Sequence, residues 1–307
     1  MSAQEQGFRI RNFIHGEWVE ESGVEMVPLY NPSSGEEIGE VPLSSEKTAL
    51  ECIDSAYSAY DSWRKLALSK RMTYIFDLRQ AIIDQEEELA VSIAIDQAKH
   101  ISEARGEIRR IIEIIETACS VPTLLQGENL QGISANITGR VVKEPLGVFG
   151  GVAPFNFPAL VFAWFIPYAI AVGNTFIYKP STQSPLFMQK MGDIFKAIGL
   201  PNGVVNIIHG NRSIPGTWYE NPKMSGVCLV GSTPTAKKMA EACGRGGKRS
   251  MLLGGAKNIL VAMEDVLLMV SAPNTDEEER GLIVRCQGGA QTAFEALVQR
   301  YKRRPAG

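Results

Sequence analysis

Apolar and polar positions alternate from Asn12 to Val19, Asn-Phe-Ile-His-Gly-Glu-Trp-Val, about a glycine. That period of two around a turn residue predicts a small β-hairpin. Asn31-Pro32-Ser33-Ser34-Gly35 reads as a loop. From Ser45 the spacing becomes helical. Ser45 offers an N-cap to a helix running to Trp63, because its hydroxyl can accept from a free N–H of the first turn. Helical periodicity continues from Lys70 to Ala94 and from Ile101 to Cys119, with Glu and Arg on the outward faces. The first third therefore reads as mainly helical, with an edge hairpin.

The pattern changes after Ile137. Ile137–Val142 is strand-like, and Leu146–Ala153 is a continuous apolar run of the kind a parallel strand buried on both faces requires. Short apolar runs recur at Thr175–Tyr178, Val204–Ile208, Gly226–Val230 and Ile259–Met263. Helical patterns at Leu160–Val172, Ser184–Ala197 and Ala236–Cys243 separate them. Alternating strands and helices predict an α/β fold, a doubly wound parallel sheet whose ligands sit at the carboxyl ends of the strands. The pattern breaks after Val266. A Ser271–Thr275 linker, a charged run at Asp276–Arg280 and one amphipathic helix over residues 281–303 follow. The chain divides into a region 1–265 and a divergent tail 266–307.

Composition narrows the class without naming it. The 307 residues are 45% hydrophobic and 21% charged, with a net charge of -3, which gives nucleic acid or an anionic membrane no electrostatic basis. The five cysteines have no paired framework, which fits a reducing compartment and a cytoplasmic protein. The three histidines are far apart, and no CxxC or HExxH is present, so no metal site is expected. Residues 1–13 lack the apolar core of a signal peptide. The most apolar stretch, from Pro158 to Val172, is roughly 15 residues against the ~20 of a spanning helix and reads as a buried helix.

Four turns carry candidate chemistry. Ala153-Pro154-Phe155-Asn156-Phe157-Pro158 follows a buried strand, and the Asn156 amide either points into the crevice as an oxyanion donor or caps the next helix. Asn174–Ser181 ends a strand in Lys179, which either reaches ribose hydroxyls or a phosphate, or is solvated. Gly231-Ser232-Thr233-Pro234-Thr235 either presents N–H groups to a pyrophosphate or is an ordinary N-cap. Leu252–Asn258 holds adjacent glycines, Gly254 and Gly255, which permit close approach of a ligand or mark a plain turn. No GxGxxG is present, so the usual Rossmann turn is absent.

In their order and spacing these stretches resemble the aldehyde dehydrogenase superfamily from Asn12 to Asp265. They are GVFGGVAPFNFP from Gly147, GNTFIYKPS from Gly173, GVVNIIHG from Gly203, GSTPT from Gly231 and GGAKN from Gly254. With Ile101–Glu107 and Ala118–Val121, the resemblance is nearest to the CoA-acylating methylmalonate-semialdehyde type. It implies the family's NAD-binding domain, followed by a catalytic domain that is truncated here. It implies NAD as cofactor, a small aldehyde as substrate, CoA as co-substrate and a homo-oligomer. Asn156 would be the oxyanion-hole amide. Ala153 and Phe155 would line the dinucleotide site, Lys179 would hold the adenosine ribose, Ser232 the pyrophosphate, and Gly254 would lie near the nicotinamide.

Departures from the family pattern are specific. Thr182 and Gln183 stand where this subfamily usually has Glu-Arg, which weakens recognition of the ribose hydroxyls and relaxes the preference against NADP. Leu252 and Leu253 replace the neighbourhood of the hydrolytic enzymes' general-base Glu, which fits transfer of the acyl group to a thiol. The family's nucleophilic Cys falls close to Cys286, in an Arg-Cys-Gln-Gly context unlike the family's own. Residues 276–301 instead look like the start of an extracytoplasmic-function sigma factor. Three readings stay open: an acylating dehydrogenase by descent, a non-catalytic dinucleotide-binding remnant, or a fusion product.

Overall fold

The computed structural model describes residues 7–255. The chain begins with β1 (Phe8–Arg9), β2 (Asn12–Ile14), β3 (Glu17–Val19), β4 (Met26–Tyr30) and β5 (Glu37–Pro42). Four long helices follow, α1 (Glu46–Lys65), α2 (Leu68–Asp84), α3 (Glu86–Gln97) and α4 (Ile101–Ala118), then the short α5 (Val121–Leu124). After β6 (Glu128–Ser134) and β7 (Ile137–Val141), the α/β region runs β8 (Val148–Val152), α6 (Pro158–Val172), β9 (Thr175–Lys179), α7 (Leu186–Ala197) and β10 (Val205–Ile207). It continues through α8 (Ser213–Gly216), β11 (Met224–Val230), α9 (Thr233–Arg245) and β12 (Arg249–Leu253).

The large sheet has the order β12-β11-β8-β9-β10-β2-β3. It is parallel from β12 to β10, with Gly150 opposite Ile177 and Val152 opposite Lys179. The predicted hairpin, β2–β3, closes one edge antiparallel to β10. Successive residues of β9 face opposite layers: Phe176 and Tyr178 pack with α6 and α7, and Ile177 packs with residues of α1, α8 and α9. Helices α2, α3 and α4 lie outside α6 and α7. This is the doubly wound α/β sheet the sequence predicts, with an added outer layer on one face.

Local chemistry explains most boundaries. Ser45 caps α1 as expected, accepting from Thr48 N at 3.2 Å. The single helix expected over Lys70–Ala94 is two, because Gln85 leaves helical geometry at φ -114, ψ 19. No Gly or Pro marks that break. Its one trace is Glu86, Glu87 and Glu88, an acidic first turn that complements the dipole of a new helix. Helix α6 ends at Gly173, whose φ of 102° is a left-handed cap that a side chain would resist.

Five strands escaped the pattern: β1, β4, β5, β6 and β12. β4 carries Pro28, which argues against a strand, yet β4 is an edge of the sheet β1-β5-β4 and has no neighbour on one side. β6 pairs with the expected β7 in a separate, exposed ribbon. β12 takes in the first two residues of the turn expected at Leu252–Asn258, since each residue of Arg249–Leu253 pairs with β11. The strand expected at Ile259–Met263 and the tail after Val266 lie outside the described residues.

A candidate dinucleotide cleft at the carboxyl edge of the sheet

The loop after β8 is held from beneath. Ala153 N donates to Lys179 O at 3.1 Å, tying the ends of β8 and β9 together. The Phe155 carbonyl accepts from Gln97 Nε2 and from Ser184 Oγ. Asn156 does not cap α6, contrary to one of the two expectations for it. The cap position is Phe157, which makes no side-chain bond, and buried Glu107 replaces it from α4. Glu107 Oε1 accepts from Ala159 N and Leu160 N at 3.0 Å each, and Oε2 accepts from Lys99 Nζ at 2.5 Å. Lys99 also donates to Asn156 O at 3.1 Å and stands 4.5 Å over the Phe157 ring. The Asn156 side chain is thus left exposed, with no protein partner among the described residues.

Lys179 is not a solvated strand-end lysine. It is 8% exposed, and its one acceptor among the described residues is Pro180 O at 3.2 Å. Burial pulls its pKa down to about 8. An ammonium has three donors, so most of its hydrogen-bonding capacity is unused. Burial, then the Lys179 charge, holds His209 near 3, a neutral imidazole. Asp96, at the end of α3, caps α7 by accepting from Leu186 N at 2.9 Å, while its Oδ1 has no partner. Burial pushes its carboxyl up to about 8, so it is largely uncharged at neutral pH.

Lys179 and Asp96 share a cleft of about 1270 Å³ at the carboxyl ends of β8, β9, β10 and β11. Such edges are where open α/β sheets take ligands. Of the residues singled out from sequence, Ala153, Phe155, Lys179, Thr182 and Gln183 line it. Asn156, Ser232 and Gly254 are not in its wall. Ser232 caps α9, accepting from Thr235 N at 3.4 Å, and the wall is built from Pro234, Thr235 and Lys238 behind it. Gly254 sits beside that turn: Gly231 N donates to Leu253 O and Gly255 N to Thr233 Oγ1, both at 3.0 Å. Cys286 lies outside the described residues.

Asp96, Arg212, Tyr219 and Lys238 also line the cleft and had no signal in periodicity. Arg212 alone had a trace, two residues after the Gly210 that ends the β10 stretch. The four described cysteines, Cys52, Cys119, Cys228 and Cys243, are reduced, and burial raises every one of their thiols, so none is poised as a thiolate. Among the described residues no cluster of His, Cys, Asp or Glu could hold a metal, and no helix is long and apolar enough to cross a membrane.

A cleft at the carboxyl edge of a doubly wound sheet, with a buried Lys in its wall, is where a protein of this α/β class takes a ligand. The aldehyde dehydrogenase family model matches residues 18–275, and the chain belongs to that family. The malonate-semialdehyde dehydrogenase of Bacillus pumilus is 36% identical over 290 residues, which are 94% of this chain and 60% of that protein. A solved structure from Sinorhizobium meliloti, assigned as a methylmalonate-semialdehyde dehydrogenase and complexed with NAD, superposes with a TM-score of 0.80 at 30% identity. It covers 83% of this chain and 52% of its own. An E. coli NADP-dependent enzyme gives a TM-score of 0.78 at 29% identity, over 81% of this chain and 52% of its own. The chain spans about 60% of the length of the curated relatives it matches.

Proposed function

We propose that residues 1–265 bind an oxidised nicotinamide dinucleotide in this cleft and serve the oxidation of malonate or methylmalonate semialdehyde to an acyl-CoA. The carrying observation is buried Lys179 at the end of β9, with unfilled donors facing a cleft that Ala153, Phe155, Thr182 and Gln183 also line. An ammonium with spare donors suits ribose hydroxyls and phosphate oxygens, and the apolar Ala153 and Phe155 suit a flat ring. NAD is the form bound in the S. meliloti neighbour. When bound, the dinucleotide supplies the hydride acceptor.

The chain's own residues then take the following roles. Lys179 orients the ribose, and the N-terminal turn of α9, which Ser232 caps, faces the pyrophosphate. Asn156, unpartnered and held at its backbone by Lys99, offers its amide N–H to the carbonyl oxygen as negative charge develops there. Gly254 borders the nicotinamide end. A thiolate is needed to attack the aldehyde carbon, and Cys286, in the tail 266–307, is assigned to it. The acyl group then passes from that sulfur to the CoA thiol, since Leu252 and Leu253 offer no base to activate water.

Binding of dinucleotide and turnover are separable. NAD+ is titrated by quenching of tryptophan fluorescence, and NADH formation from malonate semialdehyde is followed with and without CoA. The reading expects saturable binding and CoA-dependent NADH formation that Cys286→Ala abolishes and Asn156→Ala lowers by about 10²–10³ in kcat. Binding with no turnover in any variant assigns the chain as a non-catalytic dinucleotide-binding protein. Absence of binding removes both readings.

A further inference from the structure

The backbone around Asn156 is gripped from one neighbouring segment. Gln97 ends α3 and Lys99 lies before α4, with Ala98 between them at φ 54, ψ 25. That left-handed conformation is one an alanine rarely adopts. It turns the chain so that the residues on either side of it reach the same loop. Gln97 Nε2 donates to Phe155 O, and Lys99 Nζ donates to Asn156 O at 3.1 Å. Ser184 Oγ adds a second donor to Phe155 O at 3.1 Å. Lys99 is fixed in turn by buried Glu107, whose Oε2 accepts from it at 2.5 Å while Oε1 holds the first N–H groups of α6.

The two gripped carbonyls belong to the two peptide units that meet at the Asn156 Cα. Phe155 O lies in the unit before it and Asn156 O in the unit after it. Each peptide unit is planar, so only φ and ψ of Asn156 relate the two. Anchoring both units therefore fixes those angles, and with them the direction of the Cα–Cβ bond. The Asn156 side chain has no protein partner among the described residues, so its direction is set by this backbone. A donor to a developing oxyanion is effective when it is already in place. We propose that Gln97 and Lys99 are positioning residues for Asn156: they clasp the peptide units on both sides of it and hold its amide where the oxyanion forms. Neither touches the reacting atoms. This rests on the reading of Asn156 as the oxyanion donor.

Two measurements on the full chain test the clasp. Backbone ¹⁵N relaxation reads the order of Phe155, Asn156 and Phe157. Steady-state kinetics with malonate semialdehyde, NAD+ and CoA read the chemistry. Gln97→Ala removes one grip and strands no buried charge, and Lys99→Met is combined with Glu107→Gln for the same reason. Wild type is expected to show order parameters near about 0.85 in the loop, falling below about 0.6 in each variant while β9 stays rigid. Each variant is expected to lower kcat by at least about tenfold with KM for NAD+ within a few-fold. Lys99→Arg, which keeps the charge and a donor, is expected to retain most of the rate. In an Asn156→Ala background the same changes should cost less than about twofold further, because the clasp acts through that amide. The full loss in both backgrounds marks a merely structural role and overturns the proposal. Unchanged order in both variants overturns it too. A wild-type chain without turnover overturns the dehydrogenase reading, and the relaxation data then decide the clasp.

Discussion

Lys179 shows how function and stability pull apart at one residue. Burial favours its neutral form, so the charged form that would bind phosphate is an expense to the fold at neutral pH. The unfolded chain holds its proton up to about 10.5 and the folded one to about 8. Stability therefore rises as pH climbs through that window, and below it the fold carries an upper-bound penalty of about 3 kcal/mol. Lys179→Met should gain part of that at pH 7 in urea denaturation while raising the dinucleotide Kd by about tenfold or more. Asp96 runs the other way. Its folded value near 8 exceeds the unfolded 3.8, so its contribution is greatest below that lower value and is lost as pH rises towards 8. Asp96→Asn should raise stability at pH 8 by about 1 kcal/mol or more, and change it little at pH 4. Neither residue announces this in sequence. Lys179 was legible as a strand-end Lys, but its burial follows from the fold packing around the end of β9. Asp96 is one acid among several on an acidic helix, and only the fold buries it with Oδ1 unpartnered.

Helix α6 and the loop before it depend on a charge borrowed from α4. Glu107 supplies the cap that Phe157 cannot, and Lys99 neutralises it while holding the Asn156 carbonyl. With Glu107 at 3% and Lys99 at 13% side-chain exposure, the pair is shielded from solvent. Removing one member of a buried pair leaves the other uncompensated. Glu107→Ala is expected to cost about 3–5 kcal/mol by chemical denaturation, and Glu107→Gln clearly less, since it keeps an acceptor for the α6 N–H groups. The resemblance quoted Ile101–Glu107 as a family stretch without a reason, and this cap is a physical one for its last residue. At the same scale, β8 runs beneath Trp218 at Gly150, where a methyl group would fall against the indole ring. Gly150→Ala is expected to destabilise by about 1–3 kcal/mol, read as a lower melting temperature. The strands on either side of this contact were legible because they are unbroken apolar runs. β4, β6 and β12 were not, because edge and ribbon strands bury too little to leave a period in the sequence.

Across the whole molecule, five strands and their crossovers bring individually ambiguous turns to one sheet edge. Ala153, Phe155, Lys179, Thr182 and Gln183 come from two loops and meet in one wall. Ser232 and Gly254 lie instead at the neighbouring turn, where Gly254 stands against Thr233 and the Ser232 hydroxyl caps α9. What the pattern could not supply was the cleft's charge: Arg212 and Lys238 arrive through chain topology, not spacing. The proposed dinucleotide site stands or falls with Lys179 at this edge. Its most direct test is a thermal-shift titration of the full chain with NAD+ and NADP+, beside Lys179→Met. The account predicts a melting temperature that rises with dinucleotide concentration, as preferential binding to the folded state requires, and a response in the variant displaced to about tenfold higher ligand. A flat response in the wild type, or an identical response in the variant, would contradict it.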